Sequence, residues 1–271
     1  MPTLYIVPTP IGNLEDMTLR AIRILKEVQL IAAEDTRTTR VLLDHYEIKT
    51  PLVSYHEHNK LQRLEDIFQA LDNGDVALVS DAGMPGISDP GYELITAAIE
   101  HGVNIVPLPG ANAAVAALVA SGMPTDSFAF LGFPPRKTSH LRQFMEALVD
   151  EKRTMVFYES PHRIRTTLSV LAEILGDRPV ALARELSKIH EEILRGNLTD
   201  LIVHFAETQP RGEMTLVVRG KPEDEILLWD ETRVRAALAA RLADGEKRSR
   251  AVKAVAEESG WDRRTLYDMD I

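Results

Sequence analysis

The stretch that decides the fold is residues 3–14, which read Thr-Leu-Tyr-Ile-Val-Pro-Thr-Pro-Ile-Gly-Asn-Leu. Residues 4–7 are β-branched, aromatic or aliphatic and predict a buried strand. The proline- and glycine-rich residues after them predict a turn at the carboxyl end of that strand, and a helical pattern begins at Thr18. A strand, a loop and a helix in this order form the unit from which parallel α/β sheets are built.

The same unit recurs through the first half of the chain. Four more strands are predicted at residues 30–33, 52–55, 76–79 and 103–106, and an alanine-rich helix follows Asn112. Strands that alternate with helices predict a parallel sheet with right-handed crossovers. Beyond Gly122 the pattern starts again, with strands predicted at residues 128–133, 155–158, 179–184, 192–194 and 214–218 and helices between them. The short run at 192–194 favours a mixed second sheet.

We therefore predict an α/β protein of two domains with a helical extension. Residues 1–122 form a parallel α/β domain, residues 123–222 a mixed α/β domain, and residues 223–271 a helical tail, with a charged linker at 221–225. In the tail, the spacing of Ala256, Gly260 and Leu266 fits a helix-turn-helix that contacts nucleic acid. It fits a helical cap with solvated charges equally well.

Composition excludes several kinds of protein. The 271 residues hold 31 Lys and Arg against 41 Asp and Glu, a formal net charge of −10, and no cysteine. Disulfides, thiolate metal sites and cysteine nucleophiles are thereby excluded, and a reducing cytoplasm is favoured. The acidic balance argues against nucleic-acid binding through a generally basic surface, although it allows a local basic patch. We expect no signal peptide and no membrane segment, because the most apolar stretch, residues 111–123, is shorter than the ~20 residues that span a bilayer.

Common catalytic signatures are missing from the sequence. It contains no dinucleotide-binding glycine fingerprint, no P-loop, no zinc-protease helix motif and no nucleophile elbow. The cluster most like a metal site is His56-Glu57-His58, in which the two imidazoles would share one face of a strand. A third ligand is not evident nearby, so we expect no metal.

Five unusual loops follow the five strands of the first half, at residues 8–13, 34–40, 54–59, 80–91 and 107–114. Open α/β sheets bind ligands at the carboxyl ends of their strands, where these loops would meet. Asp81 is suited to hold a ribose hydroxyl or a cation, and the amides near Asn112, at a helix N-terminus, suit a carboxylate or phosphate. Each loop alone could be an ordinary turn, but five at one edge predict a ligand site.

Together these motifs resemble the ribosomal RNA small subunit methyltransferase I family, the RNA-modifying branch of the tetrapyrrole methylase superfamily. The resemblance runs from residue 3 to about residue 218, and the helical tail also fits the family. It is carried by residues 3–14, Ala-Glu-Asp-Thr-Arg at 33–37, Ser-Asp-Ala-Gly at 80–83, Pro-Gly-Ala-Asn-Ala at 109–113, Gly-Phe-Pro-Pro-Arg-Lys at 132–137, Tyr-Glu-Ser-Pro-His-Arg at 158–163 and Ala-Arg-Glu-Leu-Ser-Lys at 183–188.

The resemblance implies a fold and an activity. Two α/β domains would bind S-adenosylmethionine (SAM) in the cleft between them and methylate the 2′-hydroxyl of a cytidine in the decoding region of 16S rRNA. The implied partners are this rRNA, within an assembled or assembling small subunit, and a second copy of the chain. Other tetrapyrrole methylases have a glycine-rich loop after the first strand and Gly-Asp-Pro after the fourth. Here Pro8-Thr9-Pro10 and Ser80-Asp81-Ala82 occupy these positions, which favours the rRNA branch over a porphyrinoid substrate.

Site residues follow by position from the resemblance and from the chemistry of methyl transfer. A ribose hydroxyl must lose its proton, so a carboxylate or imidazole is needed within hydrogen-bond reach. For residues 34–37 helix capping is the alternative role, and for His56 it is a structural one. Arg163 could start a helix instead of holding a phosphate. The expected catalytic residues are Glu34, Asp35 and His56; the cofactor contacts are Ile11, Asp81, Ala82, Gly83, Met84, Asn112, Ala113, Tyr158, Glu159, Arg184, Glu213, Met214 and Thr215; the RNA contacts are Arg37, Arg40, Arg136, Lys137 and Arg163.

Two alternative functions remain open at this point. The chain could methylate a small molecule of tetrapyrrole type, against which the arginine-bearing loops and the helical tail argue. It could also be a non-catalytic ribosome-assembly factor that retains SAM binding.

Overall fold

The computed structural model describes residues 2–222 and 229–269, apart from the side chain of Lys60. Most of the predicted charged linker, residues 223–225, therefore lies outside the described residues. Contacts divide the chain into two compact units, Met1–Lys221 and Pro222–Ile271. The first unit contains both predicted sheets, and the finer division of the chain at residues 122 and 222 stays a prediction.

The first sheet is parallel throughout, as the alternation of strands and helices predicts. Its order is β3-β2-β4-β1-β5. All four residues of the central strand β4 are buried, because helices cover both faces of the sheet. The strands are β1 (Thr3–Ile6), β2 (Leu30–Ala33), β3 (Leu52–Ser54), β4 (Val76–Val79) and β5 (Asn104–Pro107); the helices are α1 (Leu19–Glu27), α2 (Thr36–His45), α3 (Lys60–Asn73), α4 (Tyr92–Glu100) and α5 (Ala113–Ser121).

The second sheet is mixed, as the sequence predicts. Its order is β6-β7-β10-β8-β9, in which β6 and β7 are parallel and the other pairs antiparallel. The predicted strand 128–133 ends early at Phe130, because Gly132 adopts a φ of 61° and two prolines follow Phe133. The strands are β6 (Phe128–Phe130), β7 (Thr154–Glu159), β8 (Pro179–Arg184), β9 (Glu192–Asn197) and β10 (Met214–Val218); the helices are α6 (Thr138–Glu146), α7 (Ile164–Leu175) and α8 (Leu198–Glu207).

Helix α5 joins the two sheets. It follows the last strand of the first sheet, yet its buried residues Ala114, Ala117 and Leu118 pack against Val156 and Val217 of the second. Alanine allows the helix to lie close to the strands. The N-terminus of α5 is thereby held where the loops of both sheets meet.

The second unit is a small helical cluster. Its helices are α9 (Glu231–Ala243), α10 (Arg248–Ser259) and α11 (Arg263–Tyr267), and its buried core includes Val234, Leu238, Val255 and Leu266. Gly260 ends α10 with a φ of 71°, which agrees with the turn that the sequence predicts. RNA contact by this unit stays a prediction. Among the described residues, no helix has both the length and the apolar character needed to cross a membrane.

Candidate active site

A cavity of about 540 Å³ lies in the first unit, within the range of small-molecule sites. Loops from the carboxyl ends of the first sheet's strands form one side, and strand ends of the second sheet form the other. Asp35, His56 and Arg184 are not among the described residues that line it. The predicted residues that do so are Ile11, Glu34, Asp81, Ala82, Gly83, Met84, Asn112, Ala113, Tyr158, Glu159, Glu213, Met214 and Thr215.

On the side of the cavity formed by the first sheet, the loops after β1 and β4 are hydrogen-bonded to each other. Thr9 and Gly83 exchange two backbone hydrogen bonds of 2.9 Å, and the Thr9 hydroxyl donates to the carbonyl of Ser80 at 3.0 Å. Gly83 adopts a φ of 82°, which glycine accepts without strain. A Cβ at Gly110 would lie 2.8 Å from Pro8, so a third loop also depends on glycine for its close approach.

The loops after β2 and β4 are joined through their carboxylates. The amide of Asp35 donates to Asp81 at 3.0 Å, and the amide of Asp81 donates to Glu34 at 3.3 Å. Burial raises the pKa of Glu34 despite its hydrogen bond from Asp81, and burial likewise raises the pKa of Asp81. Each carboxylate therefore holds a proton more strongly than it would in water.

A third carboxylate, Asp89, is a functional candidate that our sequence analysis missed. It lines the cavity, and burial, followed by the negative charge of Glu34, raises its pKa to about 7. In the sequence, the feature that could have indicated Asp89 is its position in the long loop after β4, at residues 80–91. We call Glu34, Asp81 and Asp89 the first wall; none of them forms an ion pair with another described residue.

Asp35 has a different role from its neighbour Glu34. Its carboxylate caps α2 by accepting the Arg37 amide at 2.8 Å, and it forms an ion pair with the Arg37 guanidinium at 2.6 Å. The hydrogen bond from Arg37 is the main cause that lowers the pKa of Asp35 to about 2. Helix capping is the alternative role that the sequence predicts for residues 34–37, and Asp35 has this geometry.

His56 and Arg184 lie outside the cavity lining. The His56 amide donates to Asn59 at 2.8 Å, while its Nδ1 atom is buried and has no hydrogen-bond partner in the described part of the chain. The Arg184 guanidinium forms an ion pair with Glu192 on the neighbouring strand, at 2.6 Å. The residues on either side of Arg184 in the sequence, Ala183 and Glu185, line the cavity.

The N-terminus of α5 faces the cavity through Asn112 and Ala113. Asn112 caps the helix by accepting the Val115 amide at 3.1 Å, and the Ala114 amide donates to the Tyr158 hydroxyl, which leaves the Ala113 amide for a ligand. A helix N-terminus with free amides attracts a carboxylate or phosphate.

On the opposite side, a buried carboxylate supports the cavity from behind. The Glu159 side chain is fully buried and accepts hydrogen bonds from the Thr167 hydroxyl at 2.5 Å and the Ser160 amide at 2.8 Å. The Arg163 guanidinium lies 3.2 Å away and also donates to the carbonyl of Pro134 at 2.6 Å. Both residues, predicted to bind ligands, are thus engaged in bonds within the protein.

Two further carboxylates on this side share one lysine. The Lys188 ammonium lies 2.9 Å from Glu185 and 3.0 Å from Glu213. Burial alone would lower the pKa of Lys188, but its bonds to the two carboxylates raise it. We call Glu159, Glu185, Glu213 and Lys188 the second wall. Lys188 and Glu185 were not among the predicted site residues, although both lie in the motif at 183–188.

The remaining predicted RNA contacts are on the surface. Arg37, Arg40, Arg136 and Lys137 are exposed and lie outside the cavity lining. Arg37 is held by Asp35 next to the first wall, and Arg136 and Lys137 follow the loop that brings Phe133 to the cavity.

Comparison with known proteins gives consistent matches over nearly the whole chain. Residues 3–202 match the family described as Tetrapyrrole (Corrin/Porphyrin) Methylases. A protein of Halalkalibacterium halodurans named ribosomal RNA small subunit methyltransferase I is 49% identical, over 98% of this chain and 94% of its own length. A protein of the same name from Synechocystis is 46% identical, over 100% of this chain and 98% of its own length.

A solved structure resembles the fold. Uroporphyrin-III C-methyl transferase from Thermus thermophilus, complexed with S-adenyl homocysteine, matches with a TM-score of 0.55 and 20% identity. The match covers 80% of this chain and 97% of that protein. At this identity the likeness concerns the fold, and it confirms the predicted arrangement of a parallel and a mixed α/β half.

Proposed function

We propose that this chain, which belongs to the ribosomal RNA small subunit methyltransferase I family of the tetrapyrrole methylases, methylates the ribose 2′-hydroxyl of a cytidine in the decoding region of 16S rRNA. The methyl donor is SAM. The observation that carries the proposal is the first wall, in which Glu34, Asp81 and Asp89 face the cavity and form no ion pair with another described residue. A cationic ligand and a proton to be removed both suit such a wall.

The chemistry of the cavity fits the donor. SAM carries a methyl group on a positively charged sulfonium, together with a zwitterionic amino acid, an adenine and a ribose. The first wall offers negative charge to the cation, and the Ala113 amide at the start of α5 offers a donor to the carboxylate. Apolar side chains, including Ile11, Met84 and Met214, supply surface for the adenine.

We assign the proton-accepting role to Glu34 and Asp89 as a pair. The acceptor hydroxyl loses its proton to a carboxylate as the new C–O bond forms and the C–S bond of the donor breaks. A base with a pKa near the working pH is effective in this role, and that of Asp89 is about 7. The negative charge of Glu34 favours protonation of Asp89. Asp35, paired with Arg37, holds the start of α2 in place.

The second wall positions the reacting groups. Its three carboxylates pair with two cations, Arg163 and Lys188, so their charges cancel in large part. Positioning supplies much of the rate in a methyl displacement, because the acceptor oxygen must lie in line with the breaking bond.

The proposed partner is small-subunit rRNA within an assembled or assembling subunit in the cytoplasm. The exposed cations Arg37, Arg40, Arg136 and Lys137 would contact its phosphates. With a net charge of −10, this attraction must be local, so shape recognition of a folded subunit is needed. A homodimer would enlarge the contact surface.

The test is mass mapping of ribose methylation. Small subunits from cells without this protein are incubated with the purified chain and SAM, and the rRNA is digested and mapped. We expect one new 2′-O-methylcytidine in the decoding region, and none with the Asp81→Ala variant. Methylation of a base instead of a ribose, or of a porphyrinoid while the rRNA stays unmodified, would contradict the proposal.

A further inference from the structure

An aromatic ring lies at the rim of the cavity, on the loop between β6 and α6. Phe133 lines the cavity, yet 56% of its surface is exposed. Its ring centroid lies 5.5 Å from that of Tyr158, a second aromatic residue of the cavity. Single exposed phenylalanines are common on protein surfaces and need no functional explanation. The evidence for a function of Phe133 therefore comes from the structure and charge of its loop.

The backbone is fixed on both sides of this ring. Before it, the carbonyl of Gly132 accepts the amide hydrogen of Tyr158 at 3.0 Å. After it, the carbonyl of Pro134 accepts from the Arg163 guanidinium at 2.6 Å, and the same guanidinium is anchored on the buried Glu159. Two consecutive prolines restrict the chain further. The loop therefore presents an apolar ring to solvent from a rigid support.

The charge around the ring differs from the charge inside the cavity. Arg136 and Lys137, three and four residues further on, are both exposed, and neither forms an ion pair with another residue in the described ranges 2–222 and 229–269. Inside the cavity the first wall is negative. An exposed aromatic ring with cations a few residues further along the same loop is a combination suited to single-stranded RNA, whose bases stack on rings while its phosphates contact cations.

We infer that Phe133 is the stacking platform for the base of the nucleotide whose ribose enters the cavity. The inference rests on the proposed function and names the residue that receives the displaced base. A nucleotide that is drawn out of its stack loses base–base contact, and an aromatic ring at the cavity mouth restores it. Arg163 is then a positioning residue, because it holds the loop and does not contact the base.

The experiment compares three variants on small subunits that lack the methyl group. Phe133→Ala removes the ring, Phe133→Trp keeps an aromatic face, and Phe128→Ala removes a phenylalanine of β6 that is 40% exposed but is not among the described cavity residues. For Phe133→Ala we expect kcat/KM for the subunit to fall by about 5- to 150-fold, the range of one base–aromatic contact. SAM affinity, measured by calorimetry, and the melting temperature should not change.

The control variants sharpen this result. Phe133→Trp should recover most of the lost kcat/KM, and Phe128→Ala should behave as the wild type. The inference is overturned if Phe133→Ala methylates the subunit normally, if Phe133→Trp is as poor as Phe133→Ala, or if the loss lies in SAM affinity. A wild-type chain that binds SAM and methylates no RNA would instead overturn the proposed function, so the two failures are distinguishable.

Discussion

The two walls of the cavity contain similar side chains in opposite electrostatic states. In the first wall, Glu34, Asp81 and Asp89 lack cation partners among the described residues, and burial raises the pKa of each. In the second wall each carboxylate has a cation partner, because Arg163 pairs with Glu159 and Lys188 bridges Glu185 and Glu213.

This difference indicates a division of labour. Carboxylates that lose solvation and form no ion pair weaken the folded protein when they are charged, so a ligand or a reaction is the reason to keep them. Carboxylates that are paired and hydrogen-bonded hold backbone and side chains in place. We therefore assign proton transfer and cation binding to the first wall, and positioning to the second.

The largest effect is expected from neutralising the first wall. Glu34→Gln and Asp89→Asn should each lower kcat by about 10²- to 10⁴-fold, because each removes a member of the proton-accepting pair. The measurement is single-turnover methyl transfer at saturating SAM. Asp35→Asn is the matched control, since asparagine also caps a helix and only the exposed ion pair with Arg37 is lost. A greater loss for Asp35→Asn than for Glu34→Gln would reverse our assignment.

The next largest effect is expected on stability, in the second wall. Arg163→Ala leaves the Glu159 carboxylate buried with only two hydrogen bonds, so the free energy of unfolding should fall by about 3 kcal/mol. The measurement is urea denaturation followed by circular dichroism.

Arg142→Ala is the control for this variant. It removes an ion pair with Glu173 at the surface, in which both side chains are exposed, and should lower the free energy of unfolding far less than Arg163→Ala does. Equal losses in the two variants would mean that the buried pair has no special role.

Much of the fold follows from the sequence because the responsible interactions are local. Strand β4 is a continuous apolar run, as a strand covered on both faces must be. Asn112 and Thr18 cap the helices that follow them, and side-chain capping depends only on residues two or three positions away. Several of the family motifs lie in loops that line the cavity, including Ser80-Asp81-Ala82-Gly83.

The roles of individual carboxylates depend on contacts that no local pattern contains. Glu34 and Asp35 are adjacent, yet one faces the cavity and the other caps a helix. The pKa of Asp89 depends on burial and on Glu34, which is 55 positions earlier in the chain. Lys188 meets Glu213 across 25 positions. Such pairs can be identified only from the folded structure, in which residues far apart in the sequence come into contact.

A smaller effect concerns pH and stability. Between about pH 4 and pH 7 the folded chain keeps a proton on Asp89 that the unfolded chain loses, because the pKa in the folded state is about 7 instead of 3.8. The contribution of this proton to stability is complete below about pH 4 and is lost as the pH rises to about 7.

Asp89→Asn should therefore leave the free energy of unfolding unchanged near pH 4. At about pH 8 it should raise this free energy by about 2 kcal/mol, once solvent screening of a half-buried group is allowed for. Denaturation curves at both pH values check this. If Asp89→Asn raised the free energy of unfolding only near pH 4, the result would contradict the raised pKa of Asp89.

The most direct test of the difference between the walls is proton release on donor binding, measured by calorimetry near pH 7 in two buffers of different ionisation enthalpy. If the sulfonium lies against the first wall, its charge lowers the pKa of Asp89 and Glu34, so SAM should release protons. S-adenosylhomocysteine, whose sulfur is neutral, should release fewer, and Asp89→Asn should reduce the release for SAM. A binding heat for SAM that is the same in both buffers, or no binding by the folded chain, would contradict the account.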